Sequence, residues 1–337
     1  MSKKGKKIKK INTVSLPKQE SLPSKESGQV DNATQGYNLM KHKAKYLIFS
    51  ALVILPGAFF LGFWGLKVSI DFTGGSVFSY TRAEGVWNRA EVQDVLEKAG
   101  VEIIAVALEA GDKNFTVRTK SIDANANEEL KTIILQTAPT AKQIAFETVG
   151  PTIGSETARK SFIAFGIACI GIVLYISYAF RNIPKPYSGL RFGVSAILAM
   201  IHDALVVLGV FSILGHFKGV EIDSMFITAL LTIIGFSVHD TIVVFDRIRE
   251  NLGKFRTKDF EWVANYSIVE TMRRSIATST TVVITLTALF IFGGVSIKWF
   301  VFALLVGVIS GTYSSIFNAT PILIIWEDFI AKRVKKS

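Results

Sequence analysis

The sequence predicts a polytopic α-helical membrane protein, with six transmembrane helices and a ferredoxin-like α+β domain outside the membrane between the first two. Three observations predict it. Half of the 337 residues are hydrophobic and the mean hydropathy is +0.39, yet that apolarity is gathered into blocks long enough to cross a bilayer. Lys and Arg crowd alternate segments between the blocks. Two of the blocks carry an aspartate within the run, where an ion costs on the order of 2.5 to 3.5 kcal/mol and so marks a functional site by default.

Residues 1–45 combine lysine runs with Ser, Gln, Asn and Gly, which bury too little to repay ordering, and are expected to form a disordered basic tail. Such a tail sets topology and touches anionic membrane lipid. Binding of ribosomal RNA or another acidic partner is the alternative for this tail alone. The net charge of +11 otherwise follows topology, so no nucleic-acid partner is expected. The first span, 46–66, has no small-residue cleavage site after it and is expected to be an uncleaved anchor.

Residues 67–159 hold 10 Lys/Arg against 13 Asp/Glu and are expected to lie outside as one α+β domain. Ser76 to Thr81 alternates as a strand. Asn88 with Glu91 opens a helix in the manner of a capping box, ending at Gly100. Val101 to Leu108 and Asn114 to Thr119 are strands around the turn residues Gly111 and Asp112, a second helix starts near Asn125, and Gln143 to Val149 closes the set. The order β-α-β-β-α-β is that of a split βαβ layer with one sheet face left free.

The remaining spans are Ser161 to Phe180, Phe192 to Gly215, Ser224 to Phe245, Ile276 to Gly293 and Val301 to Trp326, a five-helix bundle over 160–326 with a cytoplasmic loop at 246–275 and a basic tail at 327–337. Within that loop Asp259 to Arg274 has the look of an amphipathic interfacial helix. The positive-inside rule puts both termini in the cytoplasm. Gly307 and Gly311 have the spacing that permits close helix contact, Pro56 and Pro321 are expected to kink their spans, and the lone Cys169 is expected to pack.

Asp203 lies near the middle of the third span and Asp240 about five residues, roughly 8 Å, from the cytoplasmic end of the fourth. They are the only acids of these two spans and are set to face each other. Arg274 lies at a similar depth and is expected to pair with Asp240; protonating the acid would abolish an attraction of about 4 kcal/mol at 4 Å and an effective dielectric near 20. His202 and His239 precede the aspartates, so each is expected to point about 100° away from its neighbour. They are relay or packing residues, as is Asp246 where the helix leaves the bilayer. No zincin, phosphate-loop, nucleophile-elbow or cysteine-histidine pattern is present. A metal site on His202, Asp203, His239 and Asp240 is disfavoured because adjacent residues cannot both reach one ion. No metal, cofactor or enzyme activity is expected.

These motifs together resemble the SecF family, the smaller partner of SecD in bacterial protein export. Ile70-Asp71-Phe72-Thr73-Gly74-Gly75 resembles its signature after the first span and Val149-Gly150-Pro151 its entry to the second. Ile201-His202-Asp203, the run Gly235 to Thr241 leading into Asp246 to Asn251, and Arg274-Ser275-Ile276-Ala277-Thr278-Ser279 resemble its third, fourth and fifth spans. His239 stands where Asn is frequent, and Ser275 where Thr is usual. The resemblance implies a six-helix module of the RND type in a bacterial inner membrane, which with SecD uses protons to help draw unfolded polypeptide from the SecYEG channel, with Asp240 and Arg274 at proton-coupling positions. The other readings are a half-size exporter of a small molecule or lipid and a non-conducting scaffold.

Overall fold

The computed structural model describes residues 38–109 and 113–334. The expectations for residues 1–36 and for the turn at Gly111 and Asp112 lie outside the described residues. Among the described residues, six helices are long and apolar enough to cross a membrane. They are α1 (Lys43–Trp64), α5 (Pro151–Ala179), α6 (Gly189–Lys218), α7 (Ser224–Lys254), α8 (Phe260–Phe292) and a sixth built from α9 (Lys298–Ser314), a π-turn at Ser315–Ala319 and α10 (Thr320–Val334).

Part of the stretch expected to be a disordered tail is helical. Met40–His42 forms a 3-10 turn leading into α1, with Met40 fully buried. The Met40 amide donates to Asn265 Oδ1 at 3.2 Å, and Lys43 pairs with Glu261 at 2.6 Å and Asp328 at 3.3 Å. Lysine content alone suggests a free tail, but the partners of this segment come from distant helices. The expected loop 246–275 is likewise mostly helix. α7 runs on to Lys254, and Asp259 to Arg274 is no separate interfacial helix but the first half of α8. Its apolar side, with Val263, Ala264 and Ile268 buried, packs on the end of α7, and Asn251 Nδ2 donates to Ser267 Oγ at 3.0 Å. The expected tail 327–337 also continues as α10, with Glu327 buried against Arg191 at 3.0 Å.

The α+β domain between the first two spans holds β1 (Gly75–Arg82), α3 (Arg89–Lys98), β2 (Ile103–Glu109), β3 (Asn114–Thr119), α4 (Ala124–Thr137) and β4 (Ala141–Val149). The sheet order is β2-β3-β1-β4, every neighbouring pair antiparallel, as a ferredoxin-like layer requires. Asn88 caps α3 by accepting from the Ala90 amide at 3.1 Å, and Gly100 takes φ +67° beyond its end. The cap of α4 is Asp123, which accepts from the Ala126 amide at 2.8 Å. Phe78, Tyr80, Phe115 and Val117 point to one face and are covered by Val92 and Leu96 of α3 and Leu130 and Ile134 of α4. Val77, Ser79, Thr116 and Arg118 line the other face, and none is buried.

Two close approaches set the bundle. An added Cβ on Gly209 of α6 would lie 2.6 Å from Gly57 Cα of α1, so those backbones touch. On α9 a Cβ on Gly311 would lie 3.2 Å from Ser237 Cβ of α7, the small-residue contact the sequence spacing anticipates.

Candidate functional site

The polar centre of the bundle is built from hydroxyls around two carboxylates. Asp203 on α6 is fully buried and accepts four hydrogen bonds: to Oδ1 from Ser310 Oγ at 2.7 Å and His202 Nδ1 at 3.0 Å, and to Oδ2 from Ser237 Oγ and Ser314 Oγ, each at 2.5 Å. Asp240 on α7 is 8% exposed and accepts from Ser275 Oγ at 2.7 Å and Ser315 Oγ at 2.5 Å. The two carboxylates are linked through neighbours: Ser237, one turn before Asp240, serves Asp203, and the consecutive Ser314 and Ser315 serve one carboxylate each.

The π-turn makes that last arrangement. Pro321 has no N–H and its ring crowds the carbonyl four residues back, at Phe317, so the ladder opens there into wider turns. Asn318 in the same turn accepts from Ser50 Oγ of α1 at 2.5 Å. The sequence does not single out Ser310, Ser314, Ser315 and Asn318, and Ser237 stands out only as part of the run Gly235 to Thr241. Serine is unremarkable in a membrane helix, and only Ser310 and Ser314, four apart beside Gly307 and Gly311, hint at one polar face.

The expected Asp240 to Arg274 ion pair is absent among the described residues. Ser275 takes the place facing Asp240, which turns Arg274 about 100° away to an exposed position. Arg274 lines an open cleft of about 440 Å³ with Asp246, Arg247, Glu250 and Glu270; Asp246 itself pairs with Arg249 at 2.5 Å. Contrary to the expected orientation, His202 bonds the carboxylate beside it. His239 is exposed. Thr228, Thr232, Gly235 and His239 on α7, and Arg274, Thr278, Thr281 and Thr285 on α8, are all exposed and repeat at helical spacing, giving the bundle a polar outer face at membrane depth. Among the described residues no three His, Cys, Asp or Glu side chains converge as a metal-ligand set.

The glycine signature after α1 forms a joint between the α+β domain and the bundle. Ile70–Thr73 is a single helical turn, α2, capped by Ser69. Asp71 Oδ2 accepts from the Ser224 amide at 3.0 Å and Ser224 Oγ at 2.7 Å, so this carboxylate supports the first turn of α7 beside its cap Asp223, which accepts from the Phe226 amide at 2.8 Å. Burial raises the pKa of the Asp223 carboxyl, and the nearby Asp71 adds to the shift. Gly74 has φ +71°, and a Cβ there would lie 2.7 Å from Pro151 Cα, while one on Gly154 would lie 2.6 Å from the Gly74 amide nitrogen. Gly150 caps α5 and Pro151 opens it. Arg118 of β3 reaches the Val68 carbonyl at 2.9 Å, Thr73 Oγ1 at 2.5 Å and Glu221 at 3.2 Å.

Comparison with known proteins gives a consistent result. The family model described as protein export membrane protein SecD/SecF, C-terminal, matches residues 129–328. The protein translocase subunit SecF of Thermobaculum terrenum is 42% identical over 302 residues, covering 86% of this chain and 94% of that one. That of Haemophilus influenzae is 34% identical over 285 residues, covering 84% of each. The crystal structure of SecDF, a translocon-associated membrane protein from Thermus thermophilus, superimposes with a TM-score of 0.75 at 32% identity; it covers 87% of this chain, which spans 39% of that longer one.

Proposed function

This chain belongs to the SecD/SecF family of protein-export membrane proteins, as a SecF-type subunit, and from that premise we propose that it couples a proton gradient to late steps of polypeptide export. It is an accessory subunit of the Sec translocase and the partner of SecD. In this reading Asp240 takes up and releases the proton, Asp203 shares its hydroxyl network, and Arg274 with Asp246 works at the cytoplasmic end. SecYEG supplies the emerging unfolded chain. The protein is a multi-pass subunit of a bacterial inner membrane with both termini in the cytoplasm, and it acts by changing conformation, not by bond chemistry.

The observation that carries the reading is the absence of a fixed cation at Asp240 among the described residues. A hydroxyl can donate to a carboxylate or, after rotating, accept from a carboxylic acid. Ser275 and Ser315 therefore satisfy Asp240 in either protonation state, where a guanidinium would hold it ionised. Each proton crossing releases about 2.3 kcal/mol per 100 mV, comparable to a few hydrogen bonds exchanged between helices. His239 and Arg274, exposed on the outer face of α7 and α8, are unsuited to lipid, which supports covering by SecD there.

The test compares Asp240→Asn with the unaltered chain in inverted vesicles holding SecYEG and SecD, following a secretory precursor with and without a gradient. Loss of the gradient-dependent stimulation, with the complex assembled, is expected. Equal stimulation removes Asp240 from the coupling step and favours a scaffold.

A further inference from the structure

α5 is held to the rest of the molecule near its two ends. Its buried residues are Gly154 and Ile176, about 33 Å apart along the helix. Between them the helix stands off, and a cavity of about 550 Å³ opens. Ala158, Phe162 and Phe165 of α5 form one wall, and Phe226, Ile227 and Leu230 of α7 form another. Phe72 and Thr73 of the joint turn α2 also line it, which places the cavity at the end of the spans nearest the α+β domain.

Packed interiors keep few voids, because atoms that face a gap lose their dispersion partners. Water is a poor occupant here. Of the described residues lining the cavity, only Thr73 and Ser161 carry a polar side-chain atom, and the Thr73 hydroxyl already donates to the Ser69 carbonyl at 3.1 Å. Phe162 is 77% exposed, so the cavity opens on the outer surface of α5, where the surrounding solvent is hydrocarbon. Phe226 and Leu230 lie on the side of α7 roughly opposite His239, so the covering inferred for SecD there does not reach this mouth. Charge at the mouth suits a lipid. The apolar run of α5 begins at Ser161, directly after Arg159 and Lys160, which places these two cations at headgroup depth. Lys160 pairs with Glu156 at 2.8 Å, whereas Arg159, exposed one turn before Phe162, has no ion pair among the described residues.

We propose that this cavity holds one acyl chain of a phospholipid from the leaflet nearest the α+β domain, with the lipid phosphate at Arg159. The chain fills the gap between α5 and α7 and packs against Phe72, so the lipid braces the joint from the membrane side. A guanidinium suits the headgroup because it donates charge-assisted hydrogen bonds to phosphate. The site does not depend on the coupling role given to Asp240.

Photolabelling tests the site in the complex with SecD, reconstituted in vesicles of phosphatidylethanolamine and phosphatidylglycerol. The probe is a phosphatidylglycerol with a diazirine on one acyl chain, and adducts are mapped by peptide mass spectrometry. Phe226 and Leu230, 2% and 4% exposed, are the diagnostic residues. Phe211 is the control, buried at 1% with its ring centroid 4.6 Å from that of Phe226, yet outside the cavity lining. Phe226 and Leu230 are expected to label about tenfold more than Phe211, since carbene insertion needs van der Waals contact. Labelling confined to the exposed Ile163 and Ile167 of α5, with Phe226 and Leu230 at the Phe211 level, means that the cavity is closed or filled by SecD and overturns the proposal. Ser161→Phe places a ring in the cavity; in the assembled complex it should bring Phe226 and Leu230 down to the Phe211 level and leave Ile163 and Ile167 labelled. Unchanged labelling at Phe226 and Leu230 overturns the site. Arg159→Gln should lower cavity labelling severalfold, and equal labelling overturns the phosphate contact. The first comparison uses the unaltered chain, so it decides the matter even where a variant fails to assemble. No gradient or precursor is needed, so an empty cavity leaves the Asp240→Asn result standing.

Discussion

Asp240 depends on two hydroxyls from different helices, and removing one leaves a buried acceptor short of a donor. A hydrogen bond to a charged group contributes about 1.5 to 3 kcal/mol, so Ser275→Ala is expected to lower the thermal midpoint of the detergent-purified SecD complex and weaken gradient-driven translocation. Ser275→Thr keeps the hydroxyl that bonds Asp240 and should restore both; a Thr variant as impaired as the Ala variant would point to packing instead. At this scale the sequence disclosed the acids and hid their partners. An ion in an apolar run is conspicuous, whereas a serine is not, since many serines in helices bond their own backbone. The Asp240 to Arg274 pairing failed for a related reason: equal depth does not fix the direction in which a side chain points, and the one-residue step from Arg274 to Ser275 decides which of them faces α7.

Elements were legible where local chemistry governs them. Asn88 and Gly100 bound α3 by capping and positive φ, and the alternation of Phe78 and Tyr80 marks the buried face of β1. Boundaries drifted where distant partners decide them. Lysines at the start of α1 hold a helix because Glu261 and Asp328 receive Lys43, and α8 runs unbroken because α7 extends alongside it. The sheet also carries a pH signature. Burial, with the Glu128 charge adding, pushes the Tyr80 phenol from the ordinary 10 up to about 12. The folded domain therefore keeps this group neutral where an unfolded chain would ionise it, a contribution fully present below pH 10 and lost as pH rises toward about 12. Thermal unfolding followed across that window should decline in the unaltered chain and decline less in Tyr80→Phe. Identical slopes would show that the phenol is not the group titrating.

At the scale of the whole molecule, the coupling role proposed for Asp240 raises the question of how a proton event there reaches the α+β domain. α7 carries Asp240 in its middle and is held at its other end, beside its cap Asp223, by Asp71, which belongs to the turn leading into β1. The same turn packs Gly74 against Pro151 and Gly154 of α5, and Arg118 of β3 holds the strand segment at Val68. A shift of α7 along its axis would pull on that turn directly, and the tightness of the glycine contact decides whether the pull is passed on or absorbed. Gly154→Ala puts a methyl 2.6 Å from the Gly74 nitrogen; the obstacle is backbone, with no flexible side-chain end to yield, so the joint must open. The expected result is an assembled complex that binds SecD normally, with a thermal midpoint lowered by the equivalent of about 1 to 3 kcal/mol, and a loss of gradient-dependent translocation larger than that destabilisation explains. Gly166→Ala, on the same helix at a position with nothing within 4 Å, should leave translocation unchanged. If Gly154→Ala translocates as well as Gly166→Ala while its midpoint falls, the joint is a structural weld only, and the proton event must reach the α+β domain by way of SecD.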